Sequence, residues 1–161
     1  MGRAKIMILA GGTGGHVIPG LTIAKALEDA KCDIVWIGTK GGIEEKLVPK
    51  ANIKIEYITV MGLRGKSLMN VLIAVKQLIQ SIFQSINLLM KYRPDVVIGM
   101  GGYVSGPGGI AAFLLRYPLV IHEQNSVPGT TNKFLARIAS SVLEAFPGSF
   151  RSKMNAKTIG N

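Results

Sequence analysis

Glycine, threonine and histidine crowd into one short stretch of this chain. Gly11, Gly12, Thr13, Gly14, Gly15 and His16 follow the apolar run Ile6–Ala10 and precede the helical pattern Pro19–Leu27. A strand that turns on glycine and enters a helix suits an anion: backbone N–H groups point outward, the helix dipole adds partial positive charge, and missing Cβ atoms allow close approach. Histidine is the side chain best suited to moving a proton near neutral pH. A second run of the same kind, Gly99–Gly109, follows Val96–Ile98 and carries Gly101, Gly102, Tyr103 and Ser105. A third polar cluster, His122-Glu123-Gln124-Asn125, follows Leu119–Ile121. Together these residues point to a phosphate-bearing ligand held beside a general base.

Better-known glycine motifs do not fit. Gly12-Thr13-Gly14 begins a dinucleotide fingerprint, but its third glycine position holds Val17, and Asp33 precedes the second strand instead of ending it. A P-loop needs lysine where Leu21 follows Gly20. Two histidines, one cysteine and scattered carboxylates give no zinc-ligand spacing, so neither a metal nor a cofactor is expected. Lys and Arg number 19 against 9 Asp and Glu, a net charge of +10 that calls for an acidic partner such as a nucleotide, a nucleic acid or an anionic membrane. No nucleic-acid motif accompanies the charge, so a non-catalytic basic nucleotide- or nucleic-acid-binding module stands only as the alternative reading. Cys32 is the lone cysteine, which rules out an internal disulfide.

Apolar runs and helical patterns alternate along all 161 residues. Strands are predicted at 34–37, 53–60, 96–98, 119–121 and 142–145, and helices at 43–50, 108–116 and 132–139. Glu44 and Glu45 fall in the first turn of the helix at 43–50, where the dipole favours them. A long helix starts at the cap Ser67 and is stopped by Pro94. Its stripe (Leu72, Val75, Leu78, Ile79, Ile82, Phe83, Ile86, Leu89 and Met90 among others) reads as core. Off the stripe, Ile73 and Leu88 beside Lys76, with Leu114 further on, form a candidate patch for an anionic lipid surface. No apolar run reaches bilayer-spanning length, and no export signal is visible. The alternation implies an α/β, Rossmann-like parallel sheet with helices on both faces, binding ligand at the carboxyl ends of its strands.

Five blocks in one order carry a resemblance: Gly11–His16, Gly62–Lys66, Gly99–Gly109, His122–Asn125 and Ala145–Gly148. Over nearly its whole length the chain resembles the N-terminal half of the MurG glycosyltransferases of glycosyltransferase family 28. The resemblance implies a GT-B fold, with residues 1–161 as its Rossmann-like, acceptor-side domain and the C-terminal donor-binding domain absent from this chain. It implies inverting, metal-independent transfer of N-acetylglucosamine from UDP-N-acetylglucosamine to the C4 hydroxyl of undecaprenyl-pyrophosphoryl-muramoyl-pentapeptide. That step belongs to peptidoglycan synthesis, and through it to cell shape and division, at the cytoplasmic face of the cell membrane. By position, Thr13, Gly14, Gly15 and Asn125 resemble donor contacts and His16 the general base. Gly101, Gly102, Tyr103, Ser105, His122 and Glu123 would face the acceptor and its pyrophosphate. The chain by itself is expected to fold without transferring sugar. Another GT-B UDP-sugar transferase with a different acceptor would share the glycine turns, since fold analogy does not settle chemistry.

Overall fold

Strands that are apolar on both sides need cover on both sides, and this requirement decides the architecture. In β1 (Lys5–Ala10), Ile6, Ile8 and Ala10 turn to one face while Met7 and Leu9 turn to the other, and all five are buried. The computed structural model describes residues 2–60, 68–151 and 154–160, so the Gly62–Lys66 block and the Ser67 cap lie outside the described residues. After β1 come α1 (Gly14–Asp29), β2 (Asp33–Gly38), α2 (Glu44–Lys50), β3 (Lys54–Tyr57) and α3 (Leu68–Tyr92). β4 (Val96–Gly101), α4 (Gly102–Leu114), β5 (Leu119–Glu123), α5 (Thr130–Leu135), β6 (Ser141–Glu144) and β7 (Lys157–Thr158) complete the described elements.

Every strand pairing is parallel, in the order β3-β2-β1-β4-β5-β6-β7. Val17 and Ala24 of α1 and Val48 of α2 pack on one face with Trp36 and Met100. Leu89 of α3, Ala111 and Ala112 of α4 and Leu135 of α5 pack on the other. The fold is the α/β, Rossmann-like sheet that the alternation implies. Strand order reverses between β1 and β4, where such sheets open a ligand crevice. Trp36, the one tryptophan, keeps α1 close to the sheet. Its indole N–H donates to the Ala10 carbonyl at 2.9 Å, and its ring fills the space where a Cβ on Gly20 would sit, 2.7 Å from Cη2.

Two helix starts differ from the sequence expectation, for one physical reason. α1 begins at Gly14 instead of Pro19, and α4 at Gly102 instead of Gly108. Glycine lowers helix propensity, yet here it is used inside helices as a packing residue. A Cβ on Gly108 would stand 2.7 Å from Leu9 Cδ1, and one on Gly109 2.7 Å from Leu135 Cδ2. The expected second glycine loop is therefore the end of β4 and the first turns of α4. β3 is only four residues long, α5 is shifted to 130–135, and β7 was not expected.

The stripe on α3 is not simply core. Ile82, Ile86 and Leu89 pack against the sheet-side cluster, but Leu72 (65%), Phe83 (62%), Met90 (52%), Ile79 and Val75 are exposed. Ser81 and Ser85 occupy the buried face instead, their hydroxyls donating back to the Gln77 and Ser81 carbonyls at 2.7 and 2.8 Å. Small side chains there let α3 lie close along α4, which turns part of the apolar stripe outward. Leu88, expected on the exposed patch, packs against the core cluster. Leu72–Tyr92 is also long and apolar enough to cross a membrane by length and composition, at a mean hydropathy of 1.2, which corrects the expectation that no segment is.

Glu144 ties the far edge together. Its buried carboxylate accepts from the backbone N–H groups of Gly148 and Phe150 (both 3.0 Å) and from the Thr158 hydroxyl (3.1 Å). The Phe150 N–H above all, then those of Gly148 and Ser149 with the Thr158 hydroxyl, hold the carboxyl below the usual range against the opposing effect of burial. A depressed folded pKa adds stability above the ordinary value of 4.5, and that stability is lost as pH falls through the folded value. Glu144→Gln is therefore expected to lower the urea midpoint at neutral pH, with the gap from the parent closing below the carboxylate range. A gap independent of pH in circular-dichroism titrations would refute the linkage.

Candidate functional site

Both glycine corners stand at the switch point between β1 and β4. After β1 the chain turns at Gly12 (φ +92°) and enters α1 with Thr13 at the cap position, extended and without a side-chain capping bond. The N–H groups of His16 and Val17 both donate to the Thr13 carbonyl at 3.2 Å. Those of Gly14 and Gly15 precede these bonds and so remain as outward donors at a helix N-terminus. After β4, Gly101 (φ +114°) and Gly102 (φ +80°) make the second corner. The two corners touch. A Cβ on Gly102 would lie 2.2 Å from the Gly11 carbonyl oxygen, and one on Gly101 would lie 2.7 Å from Cε1 of His16.

Ser105 fastens this contact. Its buried hydroxyl lies 2.8 Å from the carbonyl oxygens of both Leu9 and Gly101, to one of which it donates, and accepts from the Gly101 N–H at 3.0 Å. Expected at the acceptor, Ser105 instead ties β1 to β4 beneath the site. Glu44 is the residue whose role the sequence did not reveal. Its carboxylate leaves the α2 N-terminus and accepts from Gly12 N–H (3.1 Å), Thr39 N–H (3.0 Å) and Thr39 Oγ1 (2.8 Å), fully buried. The Gly12 N–H is thus committed to the protein. A carboxylate just past the Gly38–Gly42 turn, at the carboxyl end of a strand, was the available signal.

The end of β5 supplies a third side. His122 and Glu123 lie within the strand and are buried, so neither stands on the open surface where the resemblance would have them face pyrophosphate. Glu123 accepts from Asn125 N–H (3.0 Å), Asn125 Nδ2 (2.8 Å), Gly129 N–H (3.1 Å) and Asn132 Nδ2 (2.9 Å), and so shapes the loop between β5 and α5. Asn125 is exposed, with its amide nitrogen held and its Oδ1 left as the side chain's remaining polar group. Gln124, buried, joins His16 to His122: its Oε1 is 3.0 Å from His16 Nδ1 and its Nε2 is 3.1 Å from His122 Nδ1. Asn132 Oδ1 is buried without a partner among the described residues.

His16, Gly101, Gly102, Tyr103 and Gly129–Asn132 line a cleft of ≈ 210 Å³. Thr13, Gly14, Gly15 and Asn125 do not line it and sit on neighbouring turns. Tyr103, 65% exposed, and Thr131 also border a larger apolar groove of ≈ 450 Å³ between α3 and α4, lined by Val60, Val75, Leu78 and Pro107. Of the expected patch, Ile73, Lys76 and Leu114 are exposed on α3 and α4. Chemically, the arrangement offers helix-terminal donors for an anion, an imidazole beside them and an apolar channel leading away.

Residues 6–144 match the glycosyltransferase family 28 N-terminal domain. The UDP-N-acetylglucosamine–N-acetylmuramyl-(pentapeptide) pyrophosphoryl-undecaprenol N-acetylglucosamine transferase of Vibrio cholerae serotype O1 (strain M66-2) is 54% identical over 157 residues, 98% of this chain and 44% of that one. The transferase of the same name from Histophilus somni (strain 129Pt) is 51% identical over 99% of this chain and 44% of its own. The crystal structure of Acinetobacter baumannii MurG superimposes with a TM-score of 0.87 at 40% identity, over 98% of this chain and 46% of that one. The chain spans less than half the length of these relatives.

The Glu44 network carries its own test. Glu44→Ala leaves the half-buried donors of Thr39 and the Gly12 amide without their acceptor, at about 1 kcal/mol of stability. Faster amide hydrogen exchange at Gly12 and Thr39 should accompany the loss, and unchanged exchange at both would contradict this placement of the carboxylate.

Proposed function

The chain belongs to the glycosyltransferase family 28 N-terminal domain family, and from that premise we propose that it is the acceptor-side half of an inverting, metal-independent N-acetylglucosaminyltransferase of peptidoglycan synthesis. The donor is UDP-N-acetylglucosamine and the acceptor undecaprenyl-pyrophosphoryl-muramoyl-pentapeptide, as the names of relatives more than half identical suggest. The observation that carries the proposal is His16 in a cleft between two glycine corners, within a turn of the free Gly14 and Gly15 donors.

The reaction needs two things from this half. The acceptor C4 hydroxyl must lose its proton to a base as its oxygen bonds to C1 of the sugar. As that bond forms, the C1–O bond to the diphosphate breaks, and UDP leaves with the electron pair. His16 takes the proton. Outward N–H donors and the α1 dipole oppose the negative charge growing on the diphosphate. Thr13 and Asn125, exposed on either side, hold the donor sugar, while Gly101, Gly102 and Tyr103 receive the acceptor. A second domain, C-terminal to this one, supplies the rest of the donor site.

The acceptor carries a long prenyl tail, and the proposed place of work is the membrane surface, at its cytoplasmic face. Support comes from the exposed apolar side chains of α3 (Leu72, Ile73, Ile79, Phe83) with Lys76 among them, and from Phe113 and Leu114 of α4. Apolar surface edged by cations rests on anionic lipid without crossing it. The α3–α4 groove joins that surface to the cleft through Tyr103 and gives the tail a path.

Joined to the C-terminal half of the Vibrio cholerae relative, the chain is expected to transfer labelled N-acetylglucosamine to a short-chain lipid acceptor. In that fusion His16→Ala should lower kcat by about 10²–10⁴-fold with little change in UDP affinity. Full turnover by the variant would remove His16 from the mechanism. Ile73→Asp with Phe83→Asp is expected to reduce flotation of the chain with anionic liposomes by about tenfold or more, because two large apolar side chains lose their burial in lipid. Undiminished flotation would take α3 out of the membrane reading.

A further inference from the structure

We propose that Gln124 is the positioning residue that sets the tautomer of His16, leaving the Nε2 lone pair free for the acceptor proton. The inference deepens the reading of His16 as base and rests on it for its catalytic consequence. Gln124 is 4% exposed, and its carboxamide is wedged between two imidazoles. Its Nε2 lies 2.7 Å from the His122 carbonyl oxygen and 3.1 Å from His122 Nδ1. A carbonyl oxygen only accepts, so the amide nitrogen must face it. Turning the amide over would set two carbonyl oxygens 2.7 Å apart.

Gln124 Oε1 therefore faces His16 Nδ1 at 3.0 Å, and it too can only accept. The proton of a neutral His16 ring is placed on Nδ1, which leaves Nε2 unprotonated. His122 is driven the opposite way. Its Nδ1 accepts from Gln124, and its Nε2–H donates to the Gly160 carbonyl at 3.1 Å. Two backbone carbonyls, of His122 and of Gly160, thus fix the direction of every bond in the relay. None of its members can reverse alone. When His16 takes the acceptor proton on Nε2, its Nδ1–H keeps the bond to Gln124 and the ring keeps its orientation, with the Nδ1–Cε1 edge against Gly101. A ring without Gln124 divides between two tautomers, and the one protonated at Nε2 cannot act as the base.

The test is made first on the chain with ¹⁵N-labelled histidine, about two pH units above the ordinary imidazole pKa of ~6.5. Long-range ¹H–¹⁵N spectra are expected to show His16 protonated at Nδ1 and His122 at Nε2. Gln124→Leu should move His16 to a tautomer mixture. Gln124→Glu, which keeps an acceptor toward His16 and loses the donor toward His122, should preserve the His16 state and disturb His122. A parent His16 protonated at Nε2, or an unchanged His16 spectrum in folded Gln124→Leu, overturns the proposal. In the active fusion, Gln124→Leu should lower kcat by about 10–100-fold, as loss of an orienting partner does, with donor KM nearly unchanged and substantial recovery in Gln124→Glu. A loss confined to KM would also overturn it. The expected spectra combined with full turnover of His16→Ala would leave this assignment standing and overturn the base reading instead.

Discussion

The contact between the Gly11 and Gly102 backbones is the constraint on which the site depends. Two strand-to-helix corners from adjacent parallel strands meet there with no room for a Cβ, since one on Gly102 would come within 2.2 Å of the Gly11 oxygen. Adjacent parallel strands lie roughly 4.8 Å apart, so corners this close demand residues without side chains. Gly102 also holds φ +80°, a region that other residues enter only with strain. Ser105 locks the arrangement by serving both strands from one buried hydroxyl. The β1–β4 register also shifts between Leu9 and Ala10, next to the same corner. Because the corners touch, the His16 ring is pressed against Gly101 and not left to swing in solvent.

A second theme is the work given to carboxylates. Glu44, Glu123 and Glu144 each stand at or just beyond the carboxyl end of a strand, each is buried, and each accepts several loop N–H or hydroxyl donors. Loops at the ligand end of a parallel sheet have backbone groups that no ladder satisfies, and a carboxylate satisfies several at once. These acids are spent inward on architecture. What faces outward near the cleft is then dominated by helix N-termini and unpaired amides, a surface that favours a doubly charged diphosphate. The chain's excess of Lys and Arg acts over longer range in the same sense.

How far the sequence could be read follows from which forces act locally. Alternation of apolar runs with helical spacing reports burial on two faces, so the parallel sheet was legible, whereas the strand order that sets its switch point was not. The two glycine corners and the place of His16 beside the first were legible too, because each glycine run follows an apolar strand pattern. The helix starts at Gly14 and Gly102 were not, since low local propensity was overridden by packing against Leu9, Leu135 and Trp36. Ser105, His122 and Glu123 were picked out as polar groups near strand ends. Nothing local distinguishes a polar group that meets ligand from one that meets backbone. Glu44 illustrates the same limit: its place in a first helical turn suggested a dipole role, whereas its partners lie 5 and 32 residues away. The two-residue β7 has no apolar period at all and exists because Glu144 and the edge of β6 hold it.

The cleft's size completes the argument. At ≈ 210 Å³ it falls below the roughly 300–1,000 Å³ of ordinary small-molecule sites. Thr13, Gly14, Gly15 and Asn125 lie outside its lining, on turns that flank it. Under the proposed function the cleft therefore takes the reacting end of the acceptor only, and the nucleotide sugar lies across those turns, toward whatever closes over them. The division suits the chemistry. In the proposed reaction the proton goes to His16, half-buried and held by Gln124. The diphosphate is better met by exposed helix ends that a second surface can cover once substrate is in place, strengthening each interaction as water leaves.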